Sequence, residues 1–384
     1  MPNGDDEERE VTVGLLADPG LPTELATALV DELPGALSDR VSDQVRWRVH
    51  VRSEPLTLNE HGKIPLVQNA REKRSREGWD LMVCLTDLPR QVGHQPIIGE
   101  FNAEHRVALA SLPAIGSFRL RKHLRDTVVY LLDALIHGTG LPGPARDARG
   151  RPKRGPAELM SPVRHLSNPD RDIDESITLT GLRGRVRLLL GMVRDNRPWR
   201  LVPSLSSALA AAMASAAFGV FFSTIWTLAD ALSVGRLTLI SLLSVTTMVT
   251  WLIIYNGLWE RPRAQEWRGQ PVLYNLATVL TLFVGVAGMY MLLFAIVLVA
   301  AHVVIASSYM ESQLGHPATF TSYVKLTWLA SSMGIAAGAL GSSLESEDAV
   351  RQATYSKRER ERRERRKQQE AEERQQEQER TTED

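Results

Sequence analysis

The chain has 384 residues, of which 43% are hydrophobic and 23% are charged, and its formal net charge is zero. These averages would fit a soluble protein, but the long charge-free runs lie between Leu201 and Leu344, with charged segments on either side. The pattern requires water at both ends and lipid in between, which excludes a wholly soluble protein. The lone cysteine, Cys84, excludes an intramolecular disulfide, and no signal peptide follows Met1, so we expect the N-terminal domain in the cytosol.

Apolar runs alternate with helical periodicity across residues 1–140. Strands are predicted at Val11–Ala17, Val45–Val51, Leu81–Leu85 and Val107–Leu112. The third is apolar on both faces, which is typical of a central strand. Helices are predicted over the segment that holds Leu25, Leu29 and Leu33, from about Lys63 to Glu77, and from an N-cap at Ser117 to Gly138. This alternation predicts a small open α/β sheet.

Two turns follow strands that we expect to be parallel neighbours. Open α/β sheets bind ligands outside the carboxyl ends of their strands, so the turns after the first and third strands form a candidate ligand site. Its side chains would be Asp18, Thr86, Asp87 and Arg90. The alternative is that Asp18 and Asp87 are turn and cap residues with a structural role. Neither turn carries a phosphate-loop glycine pattern, so the cofactor stays unassigned.

Catalytic and metal-binding patterns are weak in this domain. No serine or cysteine lies in a nucleophile elbow, which favours a non-enzymatic protein without deciding the question, and we assign no catalytic residue. Potential metal ligands share one loop-rich region without metal-site spacing, so no metal is predicted: His61, His94, Glu100 and His105. The second strand has a basic face, either an anion-binding surface or a charged edge: Arg46, Arg48, His50 and Arg52.

The segment from Leu141 to Arg200 is rich in proline, glycine and arginine, which predicts a flexible basic linker. Its part from Leu182 to Val193 mixes arginines with leucines, as a helix lying on anionic lipid headgroups would. Aromatic residues do not alternate with these arginines, so nucleic acid is not an expected partner.

Apolar segments between residues 201 and 344 predict a membrane domain. Ser204–Trp226 and Leu237–Trp259 carry no charge and are long enough to cross a hydrocarbon core of about 30 Å. Gly269–Met310 is also free of charge but has about twice the length of one span, so a turn is expected near Gly285–Gly288. The predicted spans are residues 204–226, 237–259, 271–287 and 288–310.

A fifth apolar segment, Leu326–Leu344, is rich in small residues. Gly334, Gly338 and Gly341 predict close helix packing, within the chain or in a homo-oligomer. A partial crossing is favoured, because a complete fifth span would place the basic start of the tail outside. The tail, residues 345–384, is predicted to be a charged helix without a coiled-coil seam. The arginine-rich loops then place both termini in the cytosol.

Four stretches of the chain resemble a family of uncharacterised multi-pass membrane proteins from high-GC, actinomycete-type bacteria. They are VGLLADPGLP at Val13, CLTDLPR at Cys84, VALASLPAIG at Val107 and GALGSSLESEDAVRQATY at Gly338. The resemblance covers most of the chain. It implies an N-terminal soluble α/β domain followed by membrane helices, and it implies no particular activity.

These observations favour a multi-pass protein of the cell membrane whose cytosolic domain binds a small ligand or a partner. Two other classes stay open, an enzyme acting at the membrane surface on an anionic or lipid substrate, and a transporter with a regulatory domain. Titratable side chains lining one pocket of the soluble domain would favour the enzyme. A polar path through the helices to His302, the one ionisable residue well inside a predicted span, would favour the transporter.

Overall fold

The computed structural model describes residues 10–58, 64–93, 95–139, 163–167, 173–260, 269–344, 350, 354, 355 and 364. The chain divides into two compact units, Met1–Asp195 with Lys357–Asp384, and Asn196–Ser356. The first is a mixed α/β domain and the second is helical, as the sequence predicts. The predicted charged tail lies almost wholly outside the described residues.

One mixed sheet forms the framework of the first unit. Its strands are β1 (Glu10–Ala17), β2 (Arg46–Ser53), β3 (Leu81–Thr86), β4 (Gln91–Val92), β5 (Gln95–Asn102), β6 (Val107–Ser111), β7 (Val163–Ser167) and β8 (Glu175–Leu179). Their order across the sheet is β2-β1-β3-β6-β5-β8-β7, with β4 paired to β5. The strands β2, β1, β3 and β6 are parallel, whereas the other pairs are antiparallel. The parallel strands are the four that the apolar runs predict.

Helices cover both faces of this sheet. They are α1 (Leu21–Leu29), α2 (Leu33–Arg40), α3 (Leu66–Glu77), α4 (Leu112–Ile115), α5 (Leu120–Thr139) and α6 (Gly181–Asp195). On one face, Leu16 and Cys84 share a core cluster with Leu66 of α3. On the other, Gly99 lies against Leu131 of α5. Burial on both faces explains why β3 is apolar from Leu81 to Leu85.

The predicted flexible linker, residues 141–200, contains three elements of the α/β domain. β8 pairs with β5, β7 pairs with β8, and α6 packs on α4. Gly191 lies so close to α4 that an added Cβ would be 2.0 Å from the carbonyl oxygen of Pro113. Arg187 donates from Nε to the carbonyl oxygen of Ile115 at 2.9 Å. The linker prediction was therefore wrong for β7, β8 and α6, because these partners are distant in sequence and only they give the elements their hydrogen bonds and packing. Residues 141–162 and 168–172 lie outside the described residues.

Two further boundaries differ from the sequence prediction. β5 was not expected, because Pro96 and Gly99 interrupt its apolar pattern, and pairing with both β6 and β8 nevertheless holds it in the sheet. The last helix of the predicted domain, α5, begins at Leu120 rather than directly after Ser117. Arg119, with a φ of 48°, adopts a left-handed conformation that separates the helix from the preceding loop.

The second unit consists of helices α7 (Leu201–Ser204), α8 (Ser206–Phe221), α9 (Ser223–Ala231), α10 (Val234–Tyr255), α11 (Gly269–Val304), α12 (Ser307–Leu314) and α13 (Phe320–Gly341). Two stretches within them, Val234–Tyr255 and Pro271–Val304, are long and apolar enough to cross a membrane. A third span results if the bent helix pair that ends in α8 is counted as one.

The first predicted span, residues 204–226, is not one helix. It is broken at Leu205 (φ −109°, ψ 42°) and again at Phe222 (φ −100°, ψ 110°). The indole Nε1 of Trp226 donates to the carbonyl oxygen of Val220 at 3.1 Å. A side chain beyond the second break therefore satisfies a carbonyl group that loses its helical partner there, which no periodicity rule could foresee.

The predicted turn near residues 285–288 is also wrong, because α11 continues through it and joins the predicted spans 271–287 and 288–310 in one helix of 36 residues. At about 1.5 Å per residue this helix is about 54 Å long, well above a hydrocarbon core of about 30 Å. Gly285 serves a close contact instead of a turn. An added Cβ would lie 2.4 Å from Cδ1 of Leu201.

Polar protein groups surround the first turns of α11. Asn275 accepts from the backbone N–H of Glu260 at 2.8 Å and donates to the Glu260 carbonyl oxygen at 2.8 Å. The hydroxyl of Thr278 donates to that of Tyr355 at 3.4 Å, and Tyr355 donates to the carbonyl oxygen of Leu258 at 3.0 Å. One face of these turns is therefore packed in protein, whereas Val272 and Leu276 on the other are exposed. Charge-free length alone does not show whether a segment is one long helix or two spans.

The four long helices α8, α10, α11 and α13 alternate in direction. Tyr255, at the end of α10, donates to the carbonyl oxygen of Ser343, just after α13, at 3.0 Å, so these two helices run parallel. The hydroxyl of Ser207, near the start of α8, donates to the carbonyl oxygen of Gly341 at the end of α13, at 3.3 Å. Tyr323, near the start of α13, donates to the carbonyl oxygen of Ile305, just after α11, at 2.9 Å. The segment predicted to cross only partly thus belongs to a continuous helix of 22 residues.

Candidate functional site

The carboxyl ends of β1 and β3 lie side by side in the first unit. The strands are parallel neighbours, with Ala17 opposite Leu85. The chain passes from β1 to β2 on one side and continues from β3 to β6 on the other, so the winding of the sheet reverses between β1 and β3. Open sheets bind ligands outside the strand ends at such a reversal. Asp18 and Thr86, two predicted site residues, lie at this position.

The carboxylate of Asp18 is fully buried and is held from two directions. Its Oδ2 accepts the hydroxyl of Thr86 at 2.7 Å, and its Oδ1 accepts the backbone N–H of Leu56 at 2.9 Å. The backbone N–H of Asp18 donates to the carbonyl oxygen of Leu85 at 2.9 Å. This side chain joins the segments that follow β1, β2 and β3, which is the structural role weighed against ligand binding.

The turn between β1 and α1 depends on a glycine. Gly20 has φ 108° and ψ −133°, a conformation that is essentially restricted to glycine. The hydroxyl of Thr23, in the first turn of α1, donates to the carbonyl oxygen of Asp18 at 2.8 Å. The backbone at Asp18 is therefore held by two hydrogen bonds, one from Thr23 of α1 and one to Leu85 of β3.

Thr86 extends the same network towards β6. Its hydroxyl oxygen accepts the backbone N–H of Leu88 at 3.1 Å, and the hydroxyl of Ser111, at the end of β6, donates to the Leu88 carbonyl oxygen at 2.9 Å. Asp87 is buried beside this network, with 6% of its surface exposed. Asp18, Thr86 and Asp87 thus lie in one polar region at the strand ends, as predicted from the sheet geometry.

Arg90 belongs to a different group from Asp18. Its Nη2 lies 2.5 Å from Oε2 of Glu100, whose side chain is only 2% exposed. We expected a cationic fork available to a ligand, but the guanidinium is used in a buried ion pair with β5. Sequence analysis missed this role of Glu100, because β5 itself was not predicted. The alternation of polar residues at Glu100 and Asn102 was the one available signal.

The remaining reactive side chain types of this domain, its cysteine and histidines, do not form a second candidate site in the described residues. Burial raises the pKa of the Cys84 thiol, so this cysteine is not a ready nucleophile. His105 contacts Asn102, with Nδ1 3.0 Å from Oδ1. Within the described part of the chain, no three His, Cys, Asp or Glu side chains form a metal site. His61 and His94 lie outside the described residues.

The basic face of β2 is solvent-exposed, as either interpretation of it requires. β2 is an edge strand, and the polar residues of the alternating pattern point to solvent: Arg46, Arg48, His50 and Arg52. Arg48 lies 3.1 Å from Glu10 of β1, so part of this charge is neutralised within the sheet. An exposed charged edge strand is protected against pairing with another sheet.

The three predicted packing glycines lie on α13 where it meets α8. An added Cβ at Gly334 would be 2.6 Å from the carbonyl oxygen of Ala212, and one at Gly338 would be 2.9 Å from that of Ala208. At Gly341 the nearest atom would be Cβ of Ala211, at 2.6 Å. Small residues on both helices allow the two backbones to approach this closely.

Three charged or titratable side chains, Asp230, His316 and Lys325, form a cluster at one end of the helical unit. Asp230 of α9 lies 2.9 Å from Nε2 of His316, and its carbonyl oxygen accepts from Nζ of Lys325 at 2.8 Å. The hydrogen bond with Asp230 raises the pKa of His316, and the same bond lowers the pKa of Asp230. These partly exposed groups link the end of α9 to the loop before α13 and to the first turns of α13.

His302 lies two residues from the end of α11, with its side chain exposed, and so lies at the end of the candidate span Pro271–Val304 and not near its middle. Its ring centroid is 4.2 Å from that of Tyr323. A polar path through the helices to His302 would have favoured a transporter. The exposed position of His302 near the end of α11 does not support that function.

No protein-family model, curated protein or solved structure matches the chain. Its activity therefore has to be argued from the geometry of its own residues.

Proposed function

We propose that the chain is a multi-pass protein of the cell membrane, anchored by α8, α10, α11 and α13, and that its α/β domain faces the cytosol and binds a small ligand or a partner without catalysing a reaction. The observation that carries the ligand-binding part is the winding reversal between β1 and β3, with buried polar side chains directly at the strand ends.

Two helices that are long and apolar enough to cross a bilayer support the membrane part of the proposal. The alternating directions of the four long helices support an even number of crossings, which keeps both termini on one side. Arg261, Arg263 and Arg268 lie in the sequence between α10 and α11, whereas the only charged residue between α8 and α10 is Asp230, and Arg236 lies in the first turn of α10. The positive-inside rule then favours a cytosolic side for the arginine-rich segment and for both termini.

One continuous α11 also removes a difficulty in the topology. With two spans in this region, a complete crossing by the segment 326–344 would have placed the basic tail outside. With α11 as one span, α13 can cross completely and the tail still returns to the cytosol. The turns of α11 packed against Glu260 and Tyr355 would then lie towards the cytosolic side, and the apolar turns from Leu282 to Val304 would cross the core.

The chemistry at the strand ends supports binding more than catalysis. The carboxylate of Asp18 is fully engaged by backbone and hydroxyl donors, and burial disfavours ionisation of Cys84. A ligand outside the strand ends would meet the turn at Gly20 and the segment from Asp87 onward. A small polar ligand that accepts and donates hydrogen bonds fits this region better than an extended apolar one.

A thermal-shift screen tests the ligand-binding part. The full chain would be purified in lipid nanodiscs and heated with a library of small polar metabolites. A ligand present at 100 times its dissociation constant stabilises the domain by about 2.7 kcal/mol. The variant Asp87→Asn should lose the shift while the unliganded protein melts as before, and Arg46→Ala, on the exposed face of β2, should keep it.

The result that contradicts ligand binding at this position is a stabilising compound whose effect survives Asp87→Asn unchanged. Turnover of a stabilising compound in the same samples would instead support a membrane-surface enzyme. A melting change in Asp87→Asn without ligand would indicate that Asp87 acts as a turn cap, with a cost of about 0.5–2 kcal/mol.

A further inference from the structure

Helix α6 has two opposite faces with different environments. Gly184, Leu188, Gly191 and Met192 are buried, and Gly191 lies against α4 of the same domain. Three apolar residues on the other side are exposed, although they recur at four-residue spacing: Leu182 at 75%, Val186 at 46% and Leu190 at 47%. At about 100° per residue these three occupy one stripe, roughly opposite the buried face. One face of α6 is thus fixed to the domain, and the opposite stripe is uncovered from Leu182 to Leu190, whereas Val193 on that side of the last turn is buried.

Positive charge flanks this stripe on both sides. Arg183 and Arg185 are exposed, and on a helical projection they lie at opposite borders of the apolar stripe. No acidic residue occurs in α6 before Asp195. The third arginine, Arg187, is committed to the domain through two bonds to the carbonyl oxygen of Ile115, at 2.9 and 2.5 Å. Of the four arginines of α6, Arg187 and Arg194 therefore bond to backbone carbonyl groups of the domain, whereas Arg183 and Arg185 are exposed.

A neighbouring loop adds an exposed aromatic side chain. Phe118 is 73% exposed, and the guanidinium carbon of Arg119 lies 5.6 Å from its ring centroid. The loop is tied to α6 because Arg194 donates to the carbonyl oxygen of Gly116 at 3.3 Å. An exposed phenylalanine beside an arginine is typical of a side chain that enters the boundary between headgroups and acyl chains.

We propose that the α6 stripe, Leu182, Val186 and Leu190, together with Phe118, docks the α/β domain onto an anionic lipid surface. Arg183, Arg185 and Arg119 would contact the headgroups. The charge of this face complements anionic phospholipid, and few residues separate Asp195 from the apolar helices that begin at Leu201. At about 3.3–3.6 Å per extended residue, the chain cannot carry α6 far from the bilayer.

This inference rests on the proposed membrane location and adds the domain face that lies on the lipid. A basic helix with an apolar stripe binds in the interface plane through buried apolar area and attraction to anionic headgroups. Because α6 is packed on α4, the docking of α6 would fix the orientation of the whole α/β domain relative to the lipid surface.

Site-specific fluorescence tests the docking. Cys84 is buried, so a cysteine introduced at the surface can be labelled selectively with an environment-sensitive NBD probe. Val186→Cys and Leu190→Cys would be labelled in the full chain, in nanodiscs of phosphatidylcholine alone or mixed with phosphatidylglycerol. Glu72→Cys, at an exposed position of α3, is the control. We expect a blue shift and quenching by brominated lipid at residues 186 and 190 in the anionic discs, and neither effect at residue 72.

The contribution of charge is tested with matched double variants. Arg183→Ala with Arg185→Ala should lower the ratio of docked to free domain by about 30-fold, because each basic residue near an anionic surface contributes about 1 kcal/mol. Arg46→Ala with Arg52→Ala removes the same charge from the exposed face of β2 and should leave the ratio unchanged.

Two outcomes would overturn the docking. The first is a probe at residue 186 that stays in a polar environment in anionic discs. The second is a blue shift that is equal in both lipid compositions and disappears at one chain per disc, which would show that a second copy covers the stripe. A chain that cannot be retained in nanodiscs at all would overturn the proposed membrane location, and the docking with it.

Discussion

Thr86 donates a hydrogen bond to Asp18 at 2.7 Å, although the two residues are 68 positions apart and both are fully buried. The bond crosses between the ends of β1 and β3, at the reversal of the sheet's winding. Because the Asp18 carboxylate is buried and hydrogen-bonded, a ligand at the candidate site would contact the residues that follow the strand ends and not this carboxylate.

Removing this donor should destabilise the α/β domain. Thr86→Val keeps the shape of the side chain but leaves Oδ2 of Asp18 without its hydroxyl donor, which costs about 1–3 kcal/mol for a buried acceptor. Hydrogen exchange of the β1 and β3 amides in the full chain measures the loss. Thr86→Ser retains the hydroxyl and should retain most of the protection. Equal exchange in the valine variant and the wild type would contradict this role.

Removing one member of the Arg90–Glu100 pair should destabilise the α/β domain more than replacing both members. Glu100→Gln leaves the Arg90 guanidinium, 13% exposed, without its carboxylate partner. Breaking one side of a buried pair costs about 3–5 kcal/mol, whereas replacing both members by apolar residues is often neutral. Urea unfolding of the α/β domain should therefore rank Arg90→Met with Glu100→Leu above Glu100→Gln. If the double variant is the less stable one, the pair contributes more than desolvation costs.

Close packing of α13 on α8 should not tolerate a larger side chain. Gly338→Leu forces side-chain atoms against the Ala208 carbonyl oxygen, and overpacking of this kind costs about 1–3 kcal/mol. The melting temperature in detergent should fall, and any detergent-resistant assembly should weaken. Gly235→Leu is the matched control, because an added Cβ at Gly235 has no neighbour within 4 Å. Identical melting of the Gly338 variant and the wild type would exclude this contact.

The contact between Asp230 and His316 should make the helical unit sensitive to pH. The pKa of His316 is raised, so its contribution to stability is complete below the usual imidazole value of about 6.5 and is lost as pH rises through the raised value. The pKa of Asp230 is lowered, so its contribution is complete above about 3.9 and is lost as pH falls through the lowered value.

Melting of the helical unit should therefore occur at a lower temperature as pH rises above neutrality. His316→Asn should flatten this dependence, and His50→Asn, in the other unit, should not. A melting profile that is the same for His316→Asn and the wild type between about pH 6 and about pH 9 would argue against the contact.

Labelling in intact cells tests the proposed topology. Ser233→Cys, at the start of α10, should react with a membrane-impermeant maleimide, and Trp259→Cys, after its end, should react only after the cells are opened. Both positions are exposed, so accessibility differs only by the side of the membrane. A reporter at Asp384 that scores as external would contradict four crossings with both termini in the cytosol.

The sequence by itself determined the features that depend on local pattern. Period-two and continuous apolar runs identified β1, β2, β3 and β6, because burial on one or both faces leaves a direct trace in the residue order. The charge-free runs identified a helical region apart from the α/β domain for the same reason. The proximity of Asp18 to Thr86 also followed, since parallel neighbouring strands end on one side.

Only the tertiary structure decided the features that depend on distant partners. β5, β8 and α6 acquire their hydrogen bonds and their burial from one another and from α4, so the proline- and arginine-rich sequence around them resembles a linker. Arg90 pairs with Glu100 because β5 passes beside it. The continuity of α11 was also decided only by the tertiary structure, because the charge-free length of its sequence fits one long helix as well as two spans.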